Sequence, residues 1–197
     1  MKTLSIIVAV IIIIGLLAFM LLKSKKASPK NDSADTANAK AIQSKENPYL
    51  GLRKQMLSLT AEQLQLKLSE DKETAYGAIL EIERGGGVAT IIALSTGDAS
   101  MYTSAGGGII GGIKHETVRN AAINFVKESQ NYLDKMPVDT TTDLPSSKHM
   151  KFFILTNKHR YAIEAPEAEV TSVDGKWHGL FDKGNDLITQ LRLTTAQ

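Results

Sequence analysis

The nineteen residues from Leu4 to Leu22 carry no charge, and Ser5 is their one clearly polar side chain. At about 1.5 Å per residue, a helix of that length spans most of a ~30 Å hydrocarbon core. The β-branched run Val8-Ala9-Val10-Ile11-Ile12-Ile13-Ile14 makes a poor helix in water. In lipid the backbone must satisfy its own hydrogen bonds, so helix is the expected form there. A cleaved signal peptide has a shorter apolar region, about 7–15 residues, ending in a small-x-small site. Here the run ends in Phe19-Met20-Leu21-Leu22-Lys23, with no such site. Residues 1–22 are therefore expected to form an uncleaved transmembrane anchor, with the lipid bilayer as the partner of Leu4–Leu22.

Lysines on either side of the run set its expected orientation. Lys2 stands on the N-terminal side; Lys23, Lys25, Lys26 and Lys30 stand on the other. The positive-inside rule then puts the C-terminal domain in the cytoplasm of a single-pass inner-membrane protein. The whole-chain net charge of +2 has the same origin. Residues 23–46 hold six lysines against three acids, whereas 47–197 hold sixteen basic and eighteen acidic residues. A nucleic-acid footprint would place its basic excess on the folded domain, so no nucleic acid is expected as a partner. The absence of cysteine excludes disulfides, thiolate metal sites, a thiol nucleophile and a lipidated Cys.

Residues 23–46 (KSKKASPKNDSADTANAKAIQSKE) have no aromatic and a single large aliphatic, Ile42. Such a segment buries too little apolar surface to offset the entropy of ordering it, and it reads as a basic, flexible tether.

Residues 47–197 read as one α+β domain. Pro48 suits the first turn of a short helix with apolar positions Leu50, Met56, Leu57 and Leu59. Thr60-Ala61-Glu62-Gln63 has the form of a capping box and predicts a second short helix through Leu64 and Leu66. Ala75–Glu83 and Val88–Thr96 flank Arg84-Gly85-Gly86-Gly87 as a hairpin, and Ala99–Ser104 follows as a third strand. Glu81 and Glu83 share one strand face without an evident acid or base beside them, and that face is expected to be solvated. Residues 115–134 carry a helical apolar stripe at Val118, Ala121, Ala122, Phe125, Val126 and Leu133. Met150–Thr156 and Tyr161–Glu164 make a second hairpin. A final helix over 178–193 shares Leu180, Phe181, Leu187, Ile188 and Leu191 on one face, with Gly184 in its middle. Hairpins imply a mainly antiparallel sheet packed by helices, and the element order matches that of profilin-like and roadblock-like folds.

Ser104-Ala105-Gly106-Gly107-Gly108-Ile109-Ile110-Gly111-Gly112-Ile113-Lys114-His115 is the most unusual stretch. Gly106, Gly108 and Gly111 satisfy G-x-G-x-x-G, which lets backbone amides approach a phosphate at a helix start. The context fails for a dinucleotide fold, because Asp134 falls at the end of the helix and not of a following strand. A P-loop fails too, since Gly112 is followed by Ile113-Lys114-His115. Three readings of the loop stand. Ser104, Gly106, Gly107, Gly108, Gly111, Gly112, Lys114 and His115 could bind an anion or phosphate ligand. Ile109 and Ile110 could contact a protein partner. Or the glycines serve close packing and positive φ.

The run Thr96-Gly97-Asp98-Ala99-Ser100-x-Tyr102-x-Ser104-x-Gly106-Gly107-Gly108-x-Ile110-Gly111-Gly112, with His115 and Val118 after it, resembles the signature of a family of uncharacterised bacterial proteins. Leu180-Phe181 and Ile188-Thr189-Gln190-Leu191-Arg192 resemble that family's C-terminal end. The likeness covers roughly residues 47–193. It implies a bacterial source and no particular activity.

Other constellations are weaker. His115, His149, His159 and His178 lack the spacing of a metal site, so neither metal nor cofactor is expected. Asp98, Ser100 and His115 lack a G-x-S-x-G context, and no catalytic residue is assigned. The sequence thus points to a membrane-tethered protein-binding or adaptor module. Its alternative is a membrane-anchored enzyme or anion-binding domain that uses residues 104–115.

Overall fold

The computed structural model describes residues 48–195. The expected anchor over 1–22 and tether over 23–46 lie outside the described residues. Among the described residues no helix is long and apolar enough to cross a membrane.

The elements run α1 (Pro48–Leu57), β1 (Ala75–Arg84), β2 (Gly87–Leu94), β3 (Ala99–Thr103), β4 (Gly108–Ile110), α2 (Glu116–Ser129), β5 (His149–Thr156), β6 (Arg160–Pro166), α3 (Glu167–Thr171) and α4 (His178–Leu193). The strands form one antiparallel sheet in the order β4-β3-β2-β1-β5-β6. Antiparallel meanders need only short turns, and Gly85 and Gly86 at positive φ supply the one between β1 and β2. After α2, the chain returns to the middle of the sheet and lays β5 beside β1.

Both faces of the sheet are covered. Leu80, Ile91, Ala93, Phe152 and Ile154 pack with α2 and α4. On α2 the buried stripe is Val118, Ala121, Ala122, Phe125 and Val126; on α4 it is Leu180, Gly184, Leu187 and Leu191. Gly184 lets α4 lie close, because a Cβ there would stand 2.8 Å from Leu80 Cδ2. The opposite face carries Ile79, Val88, Ile92, Tyr102, Phe153 and Leu155, and it meets α1 and the segment after it.

That second cover corrects three expectations. Glu81 and Glu83 are buried, not solvated. On α1 the inward positions are Tyr49, Arg53 and Leu57, four residues apart, while Leu50 is exposed. The capping box at Thr60 forms as written: Thr60 N–H donates to Gln63 Oε1 at 2.9 Å and Gln63 N–H to Thr60 Oγ1 at 3.3 Å. No helix follows it, since Gln65 at φ 57 turns the chain away and Leu66 N–H bonds to Ala61 O. Leu64 and Leu66 instead lie against the second face.

Glu81 has no solvent exposure and meets Arg53 through two parallel bonds, Nε to Oε1 at 2.6 Å and Nη2 to Oε2 at 2.8 Å. Arg53 also donates to the carbonyls of Thr142 and Asp143. Lys151, beside Glu81 on β5, donates to Asp143 O at 3.1 Å. Arg160 donates to Thr141 O at 2.5 Å and to Asp139 Oδ2 at 3.3 Å. Three cations thus strap residues 139–143 to the sheet, each within 6 Å of the Phe153 ring.

Removing one partner of such a pair leaves an uncompensated charge in the interior. Arg53→Met and Glu81→Leu are each expected to cost about 3–5 kcal/mol. The double variant should recover much of that loss. Equilibrium unfolding of the four chains measures the coupling, and simple additivity of the two losses would contradict a buried pair.

Candidate functional site

The glycine-rich stretch divides into three parts. Ser104 to Gly107 form the turn between β3 and β4. Gly106 N–H donates to Thr103 O at 3.0 Å, Thr103 N–H to Gly107 O at 3.2 Å and Thr103 Oγ1 to Gly106 O at 2.8 Å. Gly106 and Gly107 have φ of 96° and 83°, which side-chain-bearing residues rarely adopt. Ser104 is tied to the next strand: its N–H donates to Val88 O at 2.8 Å, and its Oγ accepts from Val88 N–H at 2.9 Å.

Gly108, Ile109 and Ile110 are β4 itself, an element the sequence reading merged into the loop. A Cβ on Gly108 would meet Met101 O at 2.5 Å and Tyr102 Cβ at 2.9 Å, so a larger residue cannot stand opposite Tyr102. Ile109 packs against the α2/α4 face, whereas Ile110 is 51% exposed. Beyond the strand, Gly111 has a positive φ, and Gly112 to Lys114 make one 3-10 turn. Gly112 is buried; a Cβ there would come within 2.4 Å of Val118 Cγ1 and 3.2 Å of Leu191 Cδ2. Lys114 and His115 are exposed, and His115 caps α2 without a side-chain bond.

At about 3.3 Å per strand residue, β4 holds Gly107 and Gly111 roughly 13 Å apart. Ser104, Gly106 and Gly107 are brought together. Gly111, Gly112, Lys114 and His115 stand at the other end of the strand, where Gly112 serves the contact between α2 and α4.

Ser104, Gly106 and Gly107 share a cleft of about 310 Å³ with Pro48, Tyr49, Leu52, Tyr102, Thr103 and Ala105. One wall is the first turns of α1; the other is the end of β3 and its turn. Tyr49 and Tyr102 pack edge to face, with ring centroids 5.7 Å apart. Tyr49 hydroxyl and Thr90 Oγ1 lie 2.8 Å apart, and Thr90 Oγ1 donates to Glu81 Oε1 at 3.1 Å. Tyr102, Thr90, Glu81 and Lys151 stand opposite one another on adjacent strands, so this polar row crosses the sheet beneath α1. The Tyr102 hydroxyl is buried and has no hydrogen-bond partner. Burial, and then the charge of Glu81, push its phenol far above the ordinary range.

The sequence reading missed Tyr49, Leu52 and Tyr102 as site residues. Tyr102 was within reach, since it stands two residues before Ser104 in the quoted run. Tyr49 was legible only through its four-residue spacing to Arg53. Elsewhere, Glu73 gathers bonds from Thr156 Oγ1, His159 Nδ1 and Tyr161 hydroxyl. Partial burial acts upward on Glu73, yet those donors hold its carboxyl below the usual range. Among the described residues no group of three His, Asp or Glu could hold a metal ion.

No protein-family model, no curated protein and no solved structure matches the chain.

Two expected outcomes follow from the packing around the site. Gly112→Ala should destabilise the domain by about 1–3 kcal/mol through overpacking. The penalty should shrink in a Val118→Ala background, and a full penalty there would show that the methyl contact is not its cause. The second concerns alkaline pH. Burial raises the phenols of all five tyrosines above their ordinary 10. The folded state therefore binds more protons than the unfolded one above that pH, and stability present below pH 10 is lost as pH rises further. Tyrosinate absorbance should appear together with cooperative unfolding; a gradual titration centred on pH 10 in a still-folded chain would contradict this.

Proposed function

We propose that this chain is a single-pass inner-membrane protein that holds an α+β domain on the tether of residues 23–46, on the cytoplasmic side, and that the domain works by binding a protein partner. Support for the anchor is the uncharged run Leu4–Leu22; support for the orientation is the lysine excess after it.

The observation that carries the binding reading is the inequality of the two sheet edges. At β6 the first half of the outer edge, Arg160–Ala162, is covered: Ala162 N–H donates to Pro137 O at 3.1 Å, Asp139 N–H to Arg160 O at 2.7 Å, and Val138 bridges Tyr161. At β4, among the described residues, no strand stands on the outer side. Residues 105–113 contain no charged side chain, and Ile110 is half-exposed. Sheet edges in proteins that avoid pairing are commonly guarded by charge, proline or a covering loop. A neutral edge with an exposed isoleucine suits a partner that adds an extended segment.

The alternative of an anion site across 104–115 has less support. The cleft beside Ser104, Gly106 and Gly107 has no charged side chain in its lining, and Lys114 lies beyond β4. The Glu81 carboxylate beneath the cleft is matched by Arg53 and offers an anion nothing.

A photo-crosslinker placed at Ile110 in the full chain in cells should give one discrete adduct. The same probe at Val173, 78% exposed and far along the chain, should not. Equal adducts at both positions would remove the binding reading. Alkaline phosphatase fused after Gln197 should be inactive, and an active fusion would reverse the orientation.

A further inference from the structure

The hydrogen bonds of β3 decide which backbone groups β4 turns outward. Leu94 N–H donates to Asp98 O at 2.9 Å and Ser104 N–H to Val88 O at 2.8 Å, so the even-numbered residues along β3 bond to β2. The odd-numbered ones bond to β4, and Thr103 N–H does so by donating to Gly107 O at 3.2 Å. Met101 is next in that parity and stands opposite Ile109. Ile109 therefore spends its N–H and C=O on β3, whereas Gly108 and Ile110 turn theirs to the open side. Among the described residues nothing is hydrogen-bonded there.

Those outward groups complement themselves. In an antiparallel pair, two facing residues exchange both of their bonds. A second β4 laid alongside, with a two-fold axis through Ile109, sets Gly108 against the partner's Ile110 and Ile110 against the partner's Gly108. The side chains suit the same axis. Ile110 is 51% exposed, and the residue it would face is a glycine with no side chain to collide with. Ile109 meets the partner's Ile109 on the α2/α4 face. Residues 105–113 are uncharged, so no like charges oppose one another, the usual penalty when an edge pairs with its own copy. Length selects the same occupant. Gly107 and Gly111, both at positive φ, bound β4 and leave about 10 Å of strand to pair with. A longer foreign segment would pair over that length and no further, whereas a second β4 is matched along the whole of it.

We propose that β4 is the interface of a homodimer, in which two copies of this chain join their six-stranded sheets edge to edge through antiparallel β4 strands. This rests on the protein-binding reading above and names its partner as a second copy. The contact is isologous, the same patch from both sides. Gly108 N–H donates to the partner's Ile110 and Ile110 N–H to the partner's Gly108, each bond occurring twice. The two Ile109 residues form the closer, non-hydrogen-bonded kind of pair, with Cα atoms about 4.5 Å apart.

The chain has no cysteine, so a single introduced one can bridge only to a second copy of itself. In oxidant-treated membranes carrying the full chain, Ile109→Cys should form a disulfide-linked dimer, because Cα atoms about 4.5 Å apart are within bridging range. Ile110→Cys, though more exposed, should not: its counterpart is a diagonal neighbour roughly 7–8 Å away. Random collision would favour the more exposed position instead. Added to Ile109→Cys, Ile110→Pro removes the outward N–H and spares the bonds of β4 to β3, and Ile110→Lys guards the edge with charge. Both should abolish the dimer while the melting temperature stays close to that of Ile109→Cys alone. The proposal is overturned if Ile109→Cys gives no dimer, if Ile110→Cys gives as much, or if either edge variant leaves the dimer unchanged. A photo-adduct at Ile110 with a different protein, together with no Ile109→Cys dimer, would overturn self-pairing and leave the binding reading standing; absence of both would remove both.

Discussion

A guanidinium and a carboxylate facing each other without access to water govern the second face of this domain. Arg53 and Glu81 are almost wholly buried, and each is tolerable there only because the other is present. Their two parallel bonds fix the rotation of α1 about its own axis. Once Arg53 points at Glu81, Tyr49 one turn earlier must face Thr90, and Leu57 one turn later must face the sheet. The remaining donors of Arg53 reach the carbonyls of Thr142 and Asp143, so the long connection between α2 and β5 is placed by the same side chain. The cleft wall made by Tyr49 and Leu52 is thus a consequence of an ion pair that does not touch the cleft.

The glycine-rich stretch shows how one run of sequence can serve three ends. Gly106 and Gly107 turn the chain, Gly108 lets β4 approach Tyr102, and Gly112 lets α2 and α4 close on one another. Gly106, Gly107 and Gly111 border open space, whereas Gly108 and Gly112 are enclosed. The three-residue strand between them sets the turn apart from the helix start, which is why the stretch does not present a single ring of amides.

The strongest local signals were legible. Both hairpins, the stripe of α2 and the span of α4 follow from periodicity and turn residues, because burial on one side of a helix leaves a regular trace. β4 left no trace: three residues, one of them glycine, carry almost no strand preference, and only the partner β3 makes them a strand. Glu81 and Glu83 misled for a related reason. A carboxylate alternating with Ile82 reads as solvent-facing unless the residue that covers it is known, and Arg53 stands 28 positions earlier. The capping box at Thr60 was read correctly at the level of its hydrogen bonds, while the helix it announces is cancelled two residues later by the backbone of Gln65. Local signals therefore predicted local bonds well and long-range burial poorly.

The partial cover of β6 has a consequence for how the sheet can be extended. A sheet that can be extended on both sides has a valence of two, and copies of it can chain indefinitely. With Pro137 to Asp139 already hydrogen-bonded along Arg160–Ala162, a strand arriving at β6 would find the first half of that edge taken, whereas β4 is open along its length among the described residues. A strand added at β4 would meet no such competitor. Growth of the sheet is thus biased to the β4 side, whether the added strand comes from another protein or from a second copy.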